Sequence, residues 1–219
     1  MSIQLLNHTL ISTNLSKGKI ILLPIIHSTN QYLLEKANIL KSGDICIAEH
    51  QTQGRGKYGK RWISSFGHDL CLSILWHFNK EITNIENLDF IISLLIKKIL
   101  NKFGIQNIKT KWPNDLYLQN KKLAGILIEV YNITKTIKTI VIGIGINIKT
   151  KKNKKNYFQK NWINLQETGI HINRNTIAIQ IIKLLRTTLH QYEKYYIPLH
   201  KKNLIYSKNT KFTNKKITI

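Results

Sequence analysis

The sequence predicts one large domain of mixed α and β structure with an appendage, and three observations carry that prediction. Short runs rich in Ile, Leu and Val, bounded by Gly, Pro and Asn, recur as strands as far as Ile148. Two longer stretches, 86–103 and 174–195, space their apolar residues as helices do. No segment repeats, and 219 residues amount to about one and a half typical domains.

The elements follow in order. Residues 19–25 form an apolar run that predicts a strand. Ser28 and Gln31 stand at capping-box spacing, opening a helix over 28–40 with Gly43 as its stop. The next strand, 44–49, leads into a glycine-rich stretch, 54–61, and 69–76 is a further strand rich in β-formers. The helix over 86–103 stops at Gly104. Strands are expected at 108–111, at 115–119 with 122–131 as a hairpin, and at 139–148. Asn173 caps the last helix, 174–195. Beyond Pro198 the chain is polar and basic, with one weak strand at 215–219.

Composition narrows the class. Hydrophobic residues at 42% and charged residues at 21% exclude a disordered or fibrous chain. No apolar run reaches the ~18 residues of a membrane span, and the N-terminus lacks the pattern of a secretory signal, so a cytoplasmic protein without a membrane partner is expected. Cys46 and Cys71 sit inside apolar runs without metal-ligand spacing and read as buried thiols. Lys and Arg total 34 against 11 Asp and Glu, a net charge of +23 that suggests a polyanion partner. The cations are mostly Lys spread along the chain beside abundant Ile and Asn, residues with AT-rich codons, so base composition accounts for much of the excess. The densest basic run, 149–155, reads as a solvated loop.

Gly54, Gly56 and Gly59 spell G-x-G-x-x-G, and 54–60 spells G-x-x-x-x-G-K. Both phosphate-binding patterns require a helix directly after the glycines. Trp62-Ile63-Ser64-Ser65-Phe66-Gly67 follows instead, and Arg61 stands where magnesium needs a hydroxyl, so both readings fail. What survives is a loop with Arg55, Lys57, Lys60 and Arg61 on a backbone that permits close approach to a phosphate or carboxylate.

Three further segments join it. Lys111-Trp112-Pro113-Asn114-Asp115 combines a turn with a cation, an amide and a carboxylate, and Lys122-Leu123-Ala124-Gly125-Ile126-Leu127-Ile128-Glu129 follows. Gly143-Ile144-Gly145-Ile146-Asn147 ends a strand bare at two alternate positions, a surface on which a ligand can lie flat. With Ser28-Thr29-Asn30, residues 51–62 and 162–169, these segments resemble the biotin–protein ligases, nearest to the bacterial subgroup that also represses biotin synthesis. The fold this implies is α+β, a mixed β-sheet flanked by helices, shared with lipoate ligases.

The activity implied by the resemblance is ATP-dependent attachment of biotin to a lysine of the biotin carboxyl carrier protein of acetyl-CoA carboxylase, through biotinyl-5'-AMP. ATP and Mg²⁺ are the implied cofactors and biotin the substrate; a homodimer is compatible. Arg55, Lys122 and Asp115 are the expected catalytic residues. Biotin is expected to meet Ser28, Thr29, Asn30, Gln51, Gly54, Arg55, Gly56, Lys57, Lys122, Gly143 and Gly145. ATP is expected to meet Lys60, Trp62, Lys111, Asn114 and Asn147. Asp115 either polarises the incoming lysine amine or orients a cation. A cation 4 Å from a developing charge contributes roughly 4 kcal/mol at an effective dielectric of ~20, before desolvation.

Two larger departures from the family's pattern and one smaller one shape the expectations. Nothing in the sequence precedes the catalytic segment as a winged helix would, so no repressor role and no specific nucleic acid partner are expected. Residues 1–198 read as the catalytic domain and 199–219 as a remnant of the family's C-terminal SH3-like domain. Lys57 also replaces the subgroup's Arg, keeping charge but losing bidentate geometry. The competing readings are lipoate or octanoate transfer on the same fold, a degenerate non-catalytic product, and a DNA-binding protein with steeply salt-dependent affinity.

Overall fold

The computed structural model describes residues 5–15, 18–79, 85, 87–132, 137–149 and 161–206. In chain order these form α1 (His8–Thr13), β1 (Ile20–Ile26), α2 (Thr29–Glu35), β2 (Ile45–Gln51), β3 (Gly54–Arg55), β4 (Arg61–Trp62), β5 (Leu70–Asn79), α3 (Leu88–Lys102), β6 (Lys109–Lys111), β7 (Asp115–Leu118), β8 (Lys121–Asn132), β9 (Ile137–Ile146) and α4 (Arg174–Tyr206). Seven strands make one mixed sheet in the order β1-β2-β5-β9-β8-β7-β6, and β3 with β4 forms a separate short hairpin. β1 and β2 run parallel through the crossover α2, and the other pairings in the sheet are antiparallel. The α+β mixed sheet expected from the sequence is the fold observed.

Alternation along the strands sorts the two faces. Leu70, Leu72, Ile74, Trp76 and Phe78 of β5 and Ile140, Ile142, Ile144 and Ile146 of β9 enter the main core, together with α3 and α4. On the opposite face Leu33 and Ala37 pack on Cys46, Leu75 and Val141. α2 therefore covers only part of that face. The remainder, at the Gly143–Gly145 end of β9, carries the candidate site.

Local signals explain most element ends. α3 closes in a Schellman motif: Ile105 N–H donates to Leu100 O at 3.1 Å and Gly104 N–H to Asn101 O at 3.0 Å, with Gly104 at φ +90°. Asn173 caps α4, its side chain accepting from the N–H groups of Asn175 and Thr176 at 2.8 and 3.3 Å. Two helices differ in extent from expectation. α2 ends at Glu35 rather than Leu40, because the chain then tightens into turns in which Ala37 N–H bonds Leu34 O and Ile39 N–H bonds Lys36 O. Only half of its capping box forms: Ser28 Oγ accepts from Gln31 N–H at 3.4 Å, while the Gln31 side chain turns to Glu35 and Arg55. α4 passes through Pro198 to Tyr206, across the boundary read at 198/199, since a proline costs a helix one hydrogen bond and some crowding without forbidding it. The strand expected over 215–219, and all but the first residue of the basic run 149–155, lie outside the described residues.

Candidate functional site

The site is laid out in rows by the sheet register. Cys71, Gly145 and Gly125 align across β5, β9 and β8; Ser73, Gly143 and Leu127 form the next row; Leu75, Val141 and Glu129 the third. The glycines leave depressions that side chains from other segments fill. A Cβ on Gly143 would stand 2.3 Å from Asn30 Oδ1, and one on Gly145 2.3 Å from the Trp62 ring. The bare floor expected at these two positions is thus covered, by an amide over one glycine and an indole over the other. A cavity of about 50 Å³ remains between them.

One wall is a buried hydrogen-bonded chain. Thr29 donates its backbone N–H and its hydroxyl to Gln51 Oε1 at 2.7 and 3.0 Å. The Ser73 hydroxyl lies 2.7 Å from Thr29 Oγ1 and 2.6 Å from Asn30 Oδ1. Asn30 Nδ2 donates to Glu129 Oε2 at 2.8 Å and to Leu127 O at 3.4 Å. Asn30 therefore spends its amide on the wall, which fixes its orientation. Buried polar groups persist only when matched in this way.

The rim carries charge. Lys122 on β8 pairs with Asp115 of β7 at 2.8 Å and stands 5.8 Å from the centre of the Trp62 ring. Arg55 pairs with Glu129 and donates to Gln31, and Lys57 pairs with Asp89 of α3. No helix follows the glycines: Lys57–Gly59 makes one tight turn with Tyr58 at φ 57°, and β4 begins directly afterwards. Both phosphate-loop patterns are excluded by this geometry.

Of the residues singled out in the sequence, Ser28, Thr29, Asn30, Gln51, Arg55, Gly56, Lys57, Trp62, Asn114, Asp115, Lys122, Gly143 and Gly145 line the cavity. Four do not. Gly54 faces the Trp62 carbonyl and Gln51, and with Lys60 it lines a separate outer cavity of about 790 Å³ on the loop. Lys111 on the edge strand β6 lies 5.2 Å from the centre of the Tyr117 ring. Asn147 is drawn behind the pocket, where its amide donates to Lys122 O and Ile163 O, each at 3.3 Å. Asn114, though lining, gives its side-chain N–H to Ile126 O at 2.7 Å.

Sequence reasoning missed Gly125, Ser73, Gln31, Asp89 and Glu129. Gly125 and Glu129 lay within a quoted segment, but only the register of β8 on β9 sets Gly125 opposite Gly145. Ser73 and Asp89 carry no local signal, being 43 and 32 residues from their partners. Cys71, in the Gly145 row, and Cys46 on the neighbouring strand β2 are free, buried thiols, as expected, and burial pushes both up to about 12.

Residues 22–147 match the Biotin/lipoate A/B protein ligase family, and the chain belongs to that family. Over 192 residues it is 44% identical to the bifunctional ligase/repressor BirA of Escherichia coli strain K12, covering 88% of this chain and 60% of that protein. The chain thus spans about three-fifths of that relative. Its fold matches biotin protein ligase from Aquifex aeolicus in complex with biotin and ATP, with a TM-score of 0.69 and 28% identity over 82% of this chain and 73% of that one. The biotin acetyl coenzyme A carboxylase synthetase of Helicobacter pylori, solved with bound biotinylated ATP, matches with a TM-score of 0.61 at 28% identity, covering 76% and 73% of the two chains.

Proposed function

We propose that this chain catalyses ATP-dependent attachment of biotin to a lysine of a biotin carboxyl carrier protein, through biotinyl-5'-AMP. The observation that carries the reading is the convergence on one pocket of a neutral polar wall, a glycine floor and the cations Arg55, Lys57 and Lys122. The family assignment and the biotin- and ATP-bound neighbours support it.

In the first step a biotin carboxylate oxygen attacks the α-phosphorus of ATP, and the bond to the bridging oxygen breaks with release of pyrophosphate. Two anions meet, so cations fixed before the reaction are the chain's main contribution. Lys122 faces the reacting carboxylate in this reading, and Asp115 orients its ammonium, the second of the two roles open to that carboxylate. Ser28 and Gln51 retain polar atoms for the ureido group; Thr29 and Asn30 shape the wall that holds them. Trp62 and Asn114 border the adenosine side. In the second step the carrier's lysine nitrogen attacks the activated carbonyl and AMP leaves with the bonding pair. Magnesium would supply counter-charge to the polyphosphate, and Asp115, the carboxylate that lines the pocket, would be the chain's group to hold it.

The test is biotin-dependent exchange of labelled pyrophosphate into ATP, followed by labelling of a carrier domain. Exchange that depends on lipoate or octanoate instead would move the assignment to the other branch of the family. No exchange with any of the three acids would refute the ligase reading.

A further inference from the structure

We propose that Glu129 and Asp89 are positioning residues for the basic glycine-rich loop, their carboxylates holding the Arg55 guanidinium and the Lys57 ammonium at the rim of the pocket. What this implies for turnover rests on the ligase reading; what it implies for the loop does not. The chain has 34 Lys and Arg against 11 Asp and Glu. A cation placed without constraint in such a chain has mostly other cations for neighbours. Yet each cation lining the pocket carries a carboxylate from a different element: Arg55 has Glu129 of β8, Lys57 has Asp89 of α3, and Lys122 has Asp115 of β7. Three of the eleven acids are committed here.

The two acids are not ordinary surface partners. Their side chains are only 17% and 15% exposed, while the cations they hold remain 43% and 25% exposed, so each pair is open to solvent on the cation's side. Glu129 acts at a junction: one oxygen meets Arg55, the other accepts from Asn30 Nδ2 at 2.8 Å, and Arg55 also donates to Gln31. A single carboxylate therefore ties β8, the first turn of α2 and the loop together. Asp89 reaches the same loop from 32 residues away. The loop's base is anchored by Trp62 over Gly145 and by Arg61 donating to Thr52 O at 2.9 Å, but backbone pairing is slight, since β3 and β4 pair through only two residues each. Where the backbone supplies so little, the side-chain pairs set the loop's position.

The test reads the loop in the ligand-free protein by its rate of tryptic cleavage after Arg55, Lys60 and Arg61. Glu129→Gln and Asp89→Asn should each speed cleavage about fivefold with the melting temperature unchanged, as expected for loss of an ion pair that limits opening. Exchanging the partners in Lys57→Asp/Asp89→Lys rebuilds the pair with inverted sign. It should restore wild-type cleavage while pyrophosphate exchange stays low, because the loop is placed but its cation is gone. Wild-type cleavage rates in both single variants, or an exchanged pair as labile as Asp89→Asn, would overturn the proposal. A wild-type protein lacking biotin-dependent exchange would sink the ligase reading alone and leave the cleavage result standing.

Discussion

The floor of the pocket and its rim hold their polar groups by different means. On the floor and its polar wall, Thr29, Asn30, Gln51 and Ser73 are all under 9% exposed, and the donors of Thr29, Asn30 and Ser73 find acceptors within the chain of bonds. At the rim, Arg55 is 43%, Lys122 32% and Lys57 25% exposed, and ion pairs hold them. Leaving a buried partner unmatched costs about 1–3 kcal/mol, whereas an exposed ion pair contributes about 1 kcal/mol or less. The floor therefore tolerates little displacement and suits recognition of a neutral, rigid group. The rim can exchange its internal carboxylates for those of a ligand, and suits chemistry between anions.

The largest expected effect breaks this division at the rim. Lys122→Ala should slow adenylate formation about a thousandfold, near 4 kcal/mol, while biotin affinity and melting temperature change little. Pyrophosphate exchange and calorimetric biotin binding measure the two separately. A parallel loss of both would place Lys122 in the binding machinery of the floor instead.

Gly143→Ala probes the floor. The added methyl would meet Asn30 Oδ1 at 2.3 Å and Cγ at 2.9 Å, and Ser73 and Glu129 prevent the amide from stepping aside. Overpacking of this kind costs about 2–3 kcal/mol. The variant should show that loss in urea unfolding and bind biotin about a hundredfold more weakly. Unchanged stability would mean that the Asn30 amide is mobile and the floor less fixed than its hydrogen bonds imply.

A smaller effect concerns the strands beneath. Cys46 and Cys71 stay protonated when folded up to about 12, while in the unfolded chain they ionise near 9. The folded state thus binds more protons across that window, and stability must fall as pH rises through it. Each thiol contributes a slope of about 1.4 kcal/mol per pH unit. Cys46→Ala should flatten the decline in unfolding free energy between pH 9 and 11 by about that amount. Equal slopes in the two proteins would show water reaching β2, and with it the dry floor.

Much of the site was legible because its residues lie in continuous runs. Gly143 and Gly145 announce a place where something presses on a strand, and Lys111–Asp115 with Lys122–Glu129 announces a charged turn and hairpin. What presses on those glycines was not legible. Asn30 and Trp62 arrive from segments with no periodic link to β9, and a sequence pattern carries no register between distant strands. The immediate contacts of Lys111 and Asn147 were not legible for the same reason: the Tyr117 ring lies beside the first, and backbone carbonyls accept from the amide of the second.

By itself the sequence determined the elements and their order, because apolar spacing, capping residues and turn glycines act over a few residues. Gly104 ends α3 and Asn173 starts α4 through bonds that span no more than five positions. The pairing of each rim cation with its acid, and the chain from Gln51 through Ser73 to Glu129, were decided only when β2, β5, β8 and α3 came together. Those contacts join residues tens of positions apart. Their energies depend on burial and distance, which exist only after the sheet has fixed its register.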